Sequence, residues 1–440
     1  MRTVLRPWEM GRVTTRLRQK ASARQGGEWR KKFFSFLTPA SCLLIPAICL
    51  LTSVNIGCAP QQQKNTAPQD KPLAAFQTNL LQTAFDFATA IPVVPHIKER
   101  SKMQASVVTA CLELDQPQRA LGYIEKISDW RRGLGYADYA FYCTQNGFTN
   151  DVKKHLNLAE QISSIADQDW RRDRILVKIA SVCTLLGDQE TSARLTRDIE
   201  PSEAGKIEQT KADHCTDSSF ETQFESVRLL IATENFDIVK NALTACVRLF
   251  DRFYKDTERR SLVEKTIRES WGRLPVFVRI DLLAGMSDAA LTNADLQKAR
   301  ELLNDAKALF NGAKWAPEHG IPVMARLAAL RFRCGEPDLA RAEVAAAYSL
   351  YDREHSRIVN IYKADTLIPL AEAYQVITDV TGAVTGYKRA VEAAVENPNS
   401  RPRAEDLSAI CLSMARNNVE PDTALWLRIR EVKGALGEPW

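Results

Sequence analysis

After residue 72 the chain has almost no strand-like alternation of apolar and polar residues, and glycine is scarce, 19 in 440 residues. A sheet protein needs the first, so the body is predicted to be helical. Glycine-rich phosphate loops, a nucleophile elbow and a paired-histidine zinc helix are all missing. The five histidines, His96, His155, His214, His319 and His355, are scattered, and His214–Cys215 has no second Cys/His cluster at ligand spacing. No catalytic residue, metal site or cofactor is therefore expected. A basic character is also absent once the leader is set apart. Residues 1–32 hold ten Lys or Arg against Glu9 and Glu28, a balance of +8 in a chain of net charge +5, which leaves −3 for the remainder. Nucleic acid is not the expected partner.

What is present begins with that basic leader, 1–32. An uncharged, mostly apolar stretch, Phe33 to Gly57, follows it, then a polar, proline-bearing linker at 58–72. Basic flank, apolar run and a small residue before Cys58 form the order of an export signal. "SVNIGC" resembles the lipobox of bacterial lipoproteins, with Asn55 where that motif has an aliphatic residue. The resemblance implies lipid attachment at Cys58. Twenty-five uncharged residues also suffice for an uncleaved membrane helix, and simple secretion is a third reading. Each puts the body on the far side of the membrane, in the cell envelope, because the positive flank stays inside.

Residues 73–437 read as serial helix pairs. "CLELDQPQRA", "CTQNGFTNDV" and "CTLLGDQETS" each place a Cys (Cys111, Cys143, Cys183) four residues before a turn residue (Asp115, Gly147, Gly187). Leu370, Ala371, Tyr374, Ala383, Tyr387 and Ala390 lie at the spacing of the tetratricopeptide repeat family. So do Leu327, Ala328, Gly335, Ala340, Val344 and Ala347. Leu296, Ala299, Leu303 and Ala306, and Phe236, Leu243 and Cys246, supply weaker units. The body thus resembles a right-handed α-solenoid of about eight degenerate units, stacked because one pair alone cannot bury its apolar face. Only 201–223 interrupts the helical periodicity.

"SDWRR" at 128–132 returns as "QDWRR" at 168–172. Asp129 and Asp169 are expected as N-caps, Trp130 and Trp170 as rings buried between units, and the arginines as partners of acids on the preceding helix. Asp256 with Arg259 and Arg260 reads as a solvated helix face. The seven cysteines after Cys58 read as buried thiols rather than a disulfide framework. The family resemblance implies peptide binding in a groove lined by first helices. By position, Ala137, Phe141, Val177 and Ser181 fall in it, and the candidate binding residues are Phe141, Thr144, Arg174, Thr184, Phe332, Arg333, Glu372 and Gln375. The expected function is a membrane-anchored, non-catalytic scaffold for a protein or peptide partner. A self-associating envelope component joined through its end units is the competing reading, and an enzyme with an unrecognised site the third.

Overall fold

The structure, a computed structural model, describes residues 67–197 and 199–440, and among these there are helices and turns but no strand. The leader, the apolar stretch and Cys58 lie outside the described residues. A strap, residues 67–74, leads into α1 (Ala75–Ala90), and nine helix pairs follow. Their first helices are α2 (Val93–Glu113), α4 (Arg131–Gln145), α6 (Asp169–Leu185), α9 (Ile207–Asp213), α11 (Phe236–Arg252), α13 (Val276–Thr292), α15 (Pro317–Arg333), α17 (Asn360–Val376) and α19 (Ser400–Arg416). The second helices are α3 (Pro117–Ile124), α5 (Val152–Ser164), α7 (Gln189–Thr196), α10 (Phe220–Ile231), α12 (Thr257–Ser270), α14 (Leu296–Asn311), α16 (Pro337–Glu354), α18 (Val380–Val395) and α20 (Thr423–Gly434). One further turn of helix, α8 (Pro201–Ala204), precedes α9. The stretch 201–223 is therefore no interruption. It holds a shortened first helix, α9, packed between α6 and α11.

The pairs turn where the sequence signals it. Seven first helices end on a residue with positive φ: Asp115, Gly147, Gly187, Ala294, Gly335, Thr378 and Asn418. In each, the amide after that residue donates back to a carbonyl five positions earlier, as Phe148 does to Cys143 and Asp379 to Tyr374. The positive-φ amide itself donates three positions back, as Gly147 does to Thr144. This Schellman arrangement satisfies two orphan carbonyls per helix end. It explains the four-residue interval from Cys111, Cys143 and Cys183 to their turns.

Small residues sit where helices cross. Ala328, Ala340, Ala371, Ala383 and Ala390 are fully buried, with Tyr387 filling the space beside them. A Cβ on Gly386 would stand 2.8 Å from that of Ala371, so α17 and α18 touch almost backbone to backbone. Leu296 and Phe236 depart from the expected pattern. Each opens its helix and is exposed, because the first turn lies at the edge of the stack. All seven described cysteines are free and buried.

First helices pack on first helices throughout the series, whereas among second helices only α18 and α20 make more than marginal contact. The first helices are thus the inner layer. The series then closes: α1 packs along α19, and α19 also touches α2. Gln77 Nε2 donates to the carbonyl of Ala415 (2.9 Å) and Ser408 Oγ to that of Ala84 (3.0 Å). Arg416 meets Glu113 at 2.6 Å and Lys433 meets Asp86 at 2.5 Å. Leu80, Leu81 and Phe87 of α1 are fully buried, each contributing roughly 1.5–3 kcal/mol, while Phe85 stacks on Tyr123 of α3 with centroids 4.0 Å apart. Since residue 77 lies beside 415 and 84 beside 408, α1 runs antiparallel to α19, as a second helix does. The amino-terminal helix thereby takes the place of a second helix against α19, while α20 packs on α18.

The repeated phrase marks a seam, with corrections. Trp130 and Trp170 contact each other edge to face, centroids 5.3 Å apart. Trp130 is 7% exposed, but Trp170 is 36% exposed and only half covered. Neither aspartate holds the cap position: Asp129 accepts from the Arg131 amide (2.9 Å) but stands one residue before the cap Trp130, and Asp169 is the first helical residue after the cap Gln168. The arginines do not reach the preceding helix. Arg131 pairs with Asp129, Arg171 with Asp167, and Arg172 with Asp169 and Asp173. Asp256 pairs with Arg259 at 3.5 Å and also caps α12 through the Arg259 amide (3.0 Å).

Candidate functional site

Polar bonds cross between successive first helices. Lys178 Nζ meets Asp138 at 3.0 Å, Arg248 meets Asp213 at 3.7 Å, and Asn293 donates to Asp251 at 3.3 Å. Arg326 pairs with Asp281, and Arg333 with Asp288 at 2.6 Å. Ser413 Oγ donates to Glu372 at 2.6 Å. In all six the acid belongs to the earlier helix and the donor to the next, so one direction runs through the series.

Crowding decides the proton affinities of these groups. Burial pushes the carboxyls of Asp213, Asp251 and Asp288 upward, with Arg248 and Arg333 pulling the other way. Burial also raises Glu372 against the bonds from Ser413 and Asn417 and the charge of Arg416. Tyr387, whose hydroxyl lies 2.7 Å from Ser413 Oγ, is raised as well, by burial and then by Glu372. These carboxyls are crowded yet partly open to solvent at Asp213 and Asp288.

The eight candidate residues do not form one cluster. Phe141 lies on the inner face with Lys178 Nζ 3.9 Å from its ring centroid, close enough for a cation–π contact. Arg333 pairs with Asp288 as above, while Glu372 lies between α17 and α19 beside the buried Tyr387 of α18. Arg174 instead pairs with Glu203 (3.2 Å) and stacks on Trp170 (5.0 Å). Glu203 is held low because Lys206 and Arg174 together outweigh its burial. Thr144 is buried, donating to Ala140 (2.9 Å). Thr184 bonds Ala180 and, on its own second helix, Ser192. Phe332 also faces its second helix, beneath Arg341 at 6.0 Å. Gln375 is half-buried and its Oε1 has no hydrogen-bond partner among the described residues.

The expected groove positions Ala137, Val177 and Ser181 are buried. The open stripe lies one residue further on, at Asp138 and Lys178, a rotation of about 100°. Sequence reasoning missed the ladder because its partners lie 35 to 45 residues apart, from Asp213–Arg248 to Asp288–Arg333. The signal available was a seven-residue interval within one helix, Asp281 to Asp288 and Arg326 to Arg333, which keeps two charges on one side.

For chemistry, burial holds the thiols of Cys111, Cys143, Cys246 and Cys411 up at about 12, so none is a thiolate at neutral pH. Among the described residues no three His, Cys, Asp or Glu side chains are grouped to hold a metal ion, and no helix is long and apolar enough to cross a membrane. No family model and no curated protein matches the chain.

Proposed function

We propose that the chain is an envelope protein anchored to the membrane through its amino-terminal region, with the body outside the cytoplasm. The body is read as a tetratricopeptide-like, right-handed α-solenoid drawn into closure by α1. It acts as a non-catalytic scaffold that holds a protein or peptide segment against the inner layer of first helices. The observation that carries this reading is the serial inner face, which offers an aromatic ring under a lysine (Phe141, Lys178) and polar pairs that recur between successive first helices. Mixed aromatic and polar faces of this kind suit a segment of another protein. Nucleic acid is not the proposed partner, since every basic residue of these pairs faces an acid. Self-association through end units is the weaker reading, because α1 covers the last pair and leaves no bare end.

A photo-crosslinker attached at Phe141→Cys and, separately, at Leu427→Cys on an outer helix tests the face in native envelope. The account expects a partner adduct at 141 and none at 427. Equal adducts at both, or adducts at 427 alone, contradict it.

A further inference from the structure

The turns joining first to second helices lie side by side on one rim. Tyr142 Oη donates to Asp115 (2.9 Å), Arg259 pairs with Asp217 (2.6 Å), Tyr254 Oη donates to Asp295 (2.9 Å), and Arg300 donates to the Cys334 carbonyl (2.8 Å). Each bond links one such turn to a neighbouring pair. The strap is fastened to the same rim. Lys71 donates through its amide to Asp115 (2.9 Å), and Gln116 Nε2 returns a bond to the Lys71 carbonyl (2.6 Å). Asp70 Oδ1 accepts the Gln118 amide at 2.7 Å. The strap thus provides the N-terminal cap that α3 lacks from its own Gln116. Residues 67–72, expected as free linker, are therefore part of the fold.

Only eight residues, 59–66, separate this strap from Cys58. Nine extended residues span at most about 30 Å. The same rim exposes one large apolar side chain in each of four pairs: Leu186, Leu296, Leu339 and Val380. Strap and side chains belong to the same rim.

We propose that this rim, and not the opposite one, rests on the lipid surface, with the four apolar tips at the level of the headgroups. The inference stands on the membrane-anchored reading above. Exposed apolar area alone does not choose the rim. The opposite edge exposes Val94 (83%) and Val359 (60%), against 55% for Leu339. The strap chooses it, because the chain leaves the fold there. The capping carboxylates Asp188, Asp295 and Asp379 share the rim, so the surface it suits is zwitterionic rather than anionic.

The test uses the full chain in phosphatidylcholine vesicles, with an environment-sensitive fluorophore at Leu339→Cys or Val359→Cys and nitroxide-labelled lipid as quencher. Each variant is compared with the parent chain taken through the same labelling. The expected result is at least a twofold loss of fluorescence at 339 and little at 359. A chain that sediments with vesicles but is quenched more at 359, or equally at both, overturns the rim assignment alone. A chain that does not sediment with vesicles overturns the anchored reading and the proposal with it.

Discussion

The two copies of the Asp-Trp-Arg-Arg phrase occupy the same place in successive pairs, yet one is core and the other edge. The difference lies in the residues that follow. After Arg132 come Gly133 and Gly135. A Cβ on Gly133 would stand 2.9 Å from Ile162 and 3.0 Å from Ile175, and one on Gly135 2.9 Å from Ile124. Missing side chains let α4 close on its neighbours, and Trp130 sinks with it. After Arg172 come Asp173 and Arg174. Asp173 is buried and accepts the Glu200 amide at 3.1 Å, while Arg174 holds Glu203. This second phrase is tied to the loop before α9, and Trp170 stays half exposed under the guanidinium groups of Arg171 and Arg174. Identical words take their burial from the helix packed next to them.

The comparison is broken most strongly at the indoles. Trp130→Ala should destabilise by roughly 3–5 kcal/mol in denaturant unfolding, as loss of a buried aromatic does. Trp170→Ala should remove about 1 kcal/mol, mainly the edge-to-face contact. Equal losses would show that the rings are equivalent.

The aspartates separate next. Arg131 is almost wholly enclosed, so Asp129→Ala leaves a buried cation unpaired and should cost about 3 kcal/mol. Asp169 is open to solvent, and Asp169→Ala should change stability by no more than about 0.5 kcal/mol. A large loss at 169 would restore it as the cap.

The smallest effect concerns pH. His155 packs the first phrase's helix from α5, between Tyr136 (5.9 Å) and Tyr139 (4.7 Å), and its Nδ1 has no hydrogen-bond partner among the described residues. Burial and then Lys154 lower its proton affinity, against Asp151 and Glu125. The folded form therefore takes up a proton less readily than the unfolded chain. Stability is complete above the ordinary value of 6.5 and falls as pH drops through it. Thermal melts at pH 7.5 and 5.5 should differ more for the wild type than for His155→Phe. An unchanged difference would mean the ring is already solvated.

Much of the fold was legible from local chemistry. Cys-to-turn intervals and alanine positions located the pairs, since helix ends and helix crossings depend on residues a few positions apart. Turns at Ala294, Thr378 and Asn418 were hidden because the left-handed residue there is not glycine. The inner face was found one residue out of register, at Ala137 rather than Asp138, because both lie on an inward-facing helix and only packing tells core from groove. The closing of the series was invisible for a different reason. Gln77 and Ala415 stand 338 positions apart, and no local pattern announces that they meet.

That closure is the central claim, and a zero-length carbodiimide crosslink tests it without substitutions. The reagent joins an amine to a carboxylate only when they touch. Lys433 Nζ lies 2.5 Å from Asp86, and Lys388 Nζ lies 2.6 Å from Asp422 within adjacent pairs, which makes the second an internal control. Peptide mapping of the monomer band should recover both links. Recovery of Lys388–Asp422 without Lys433–Asp86 would mean that the ends of the series stand apart, and that α1 does not take the place of a second helix against α19.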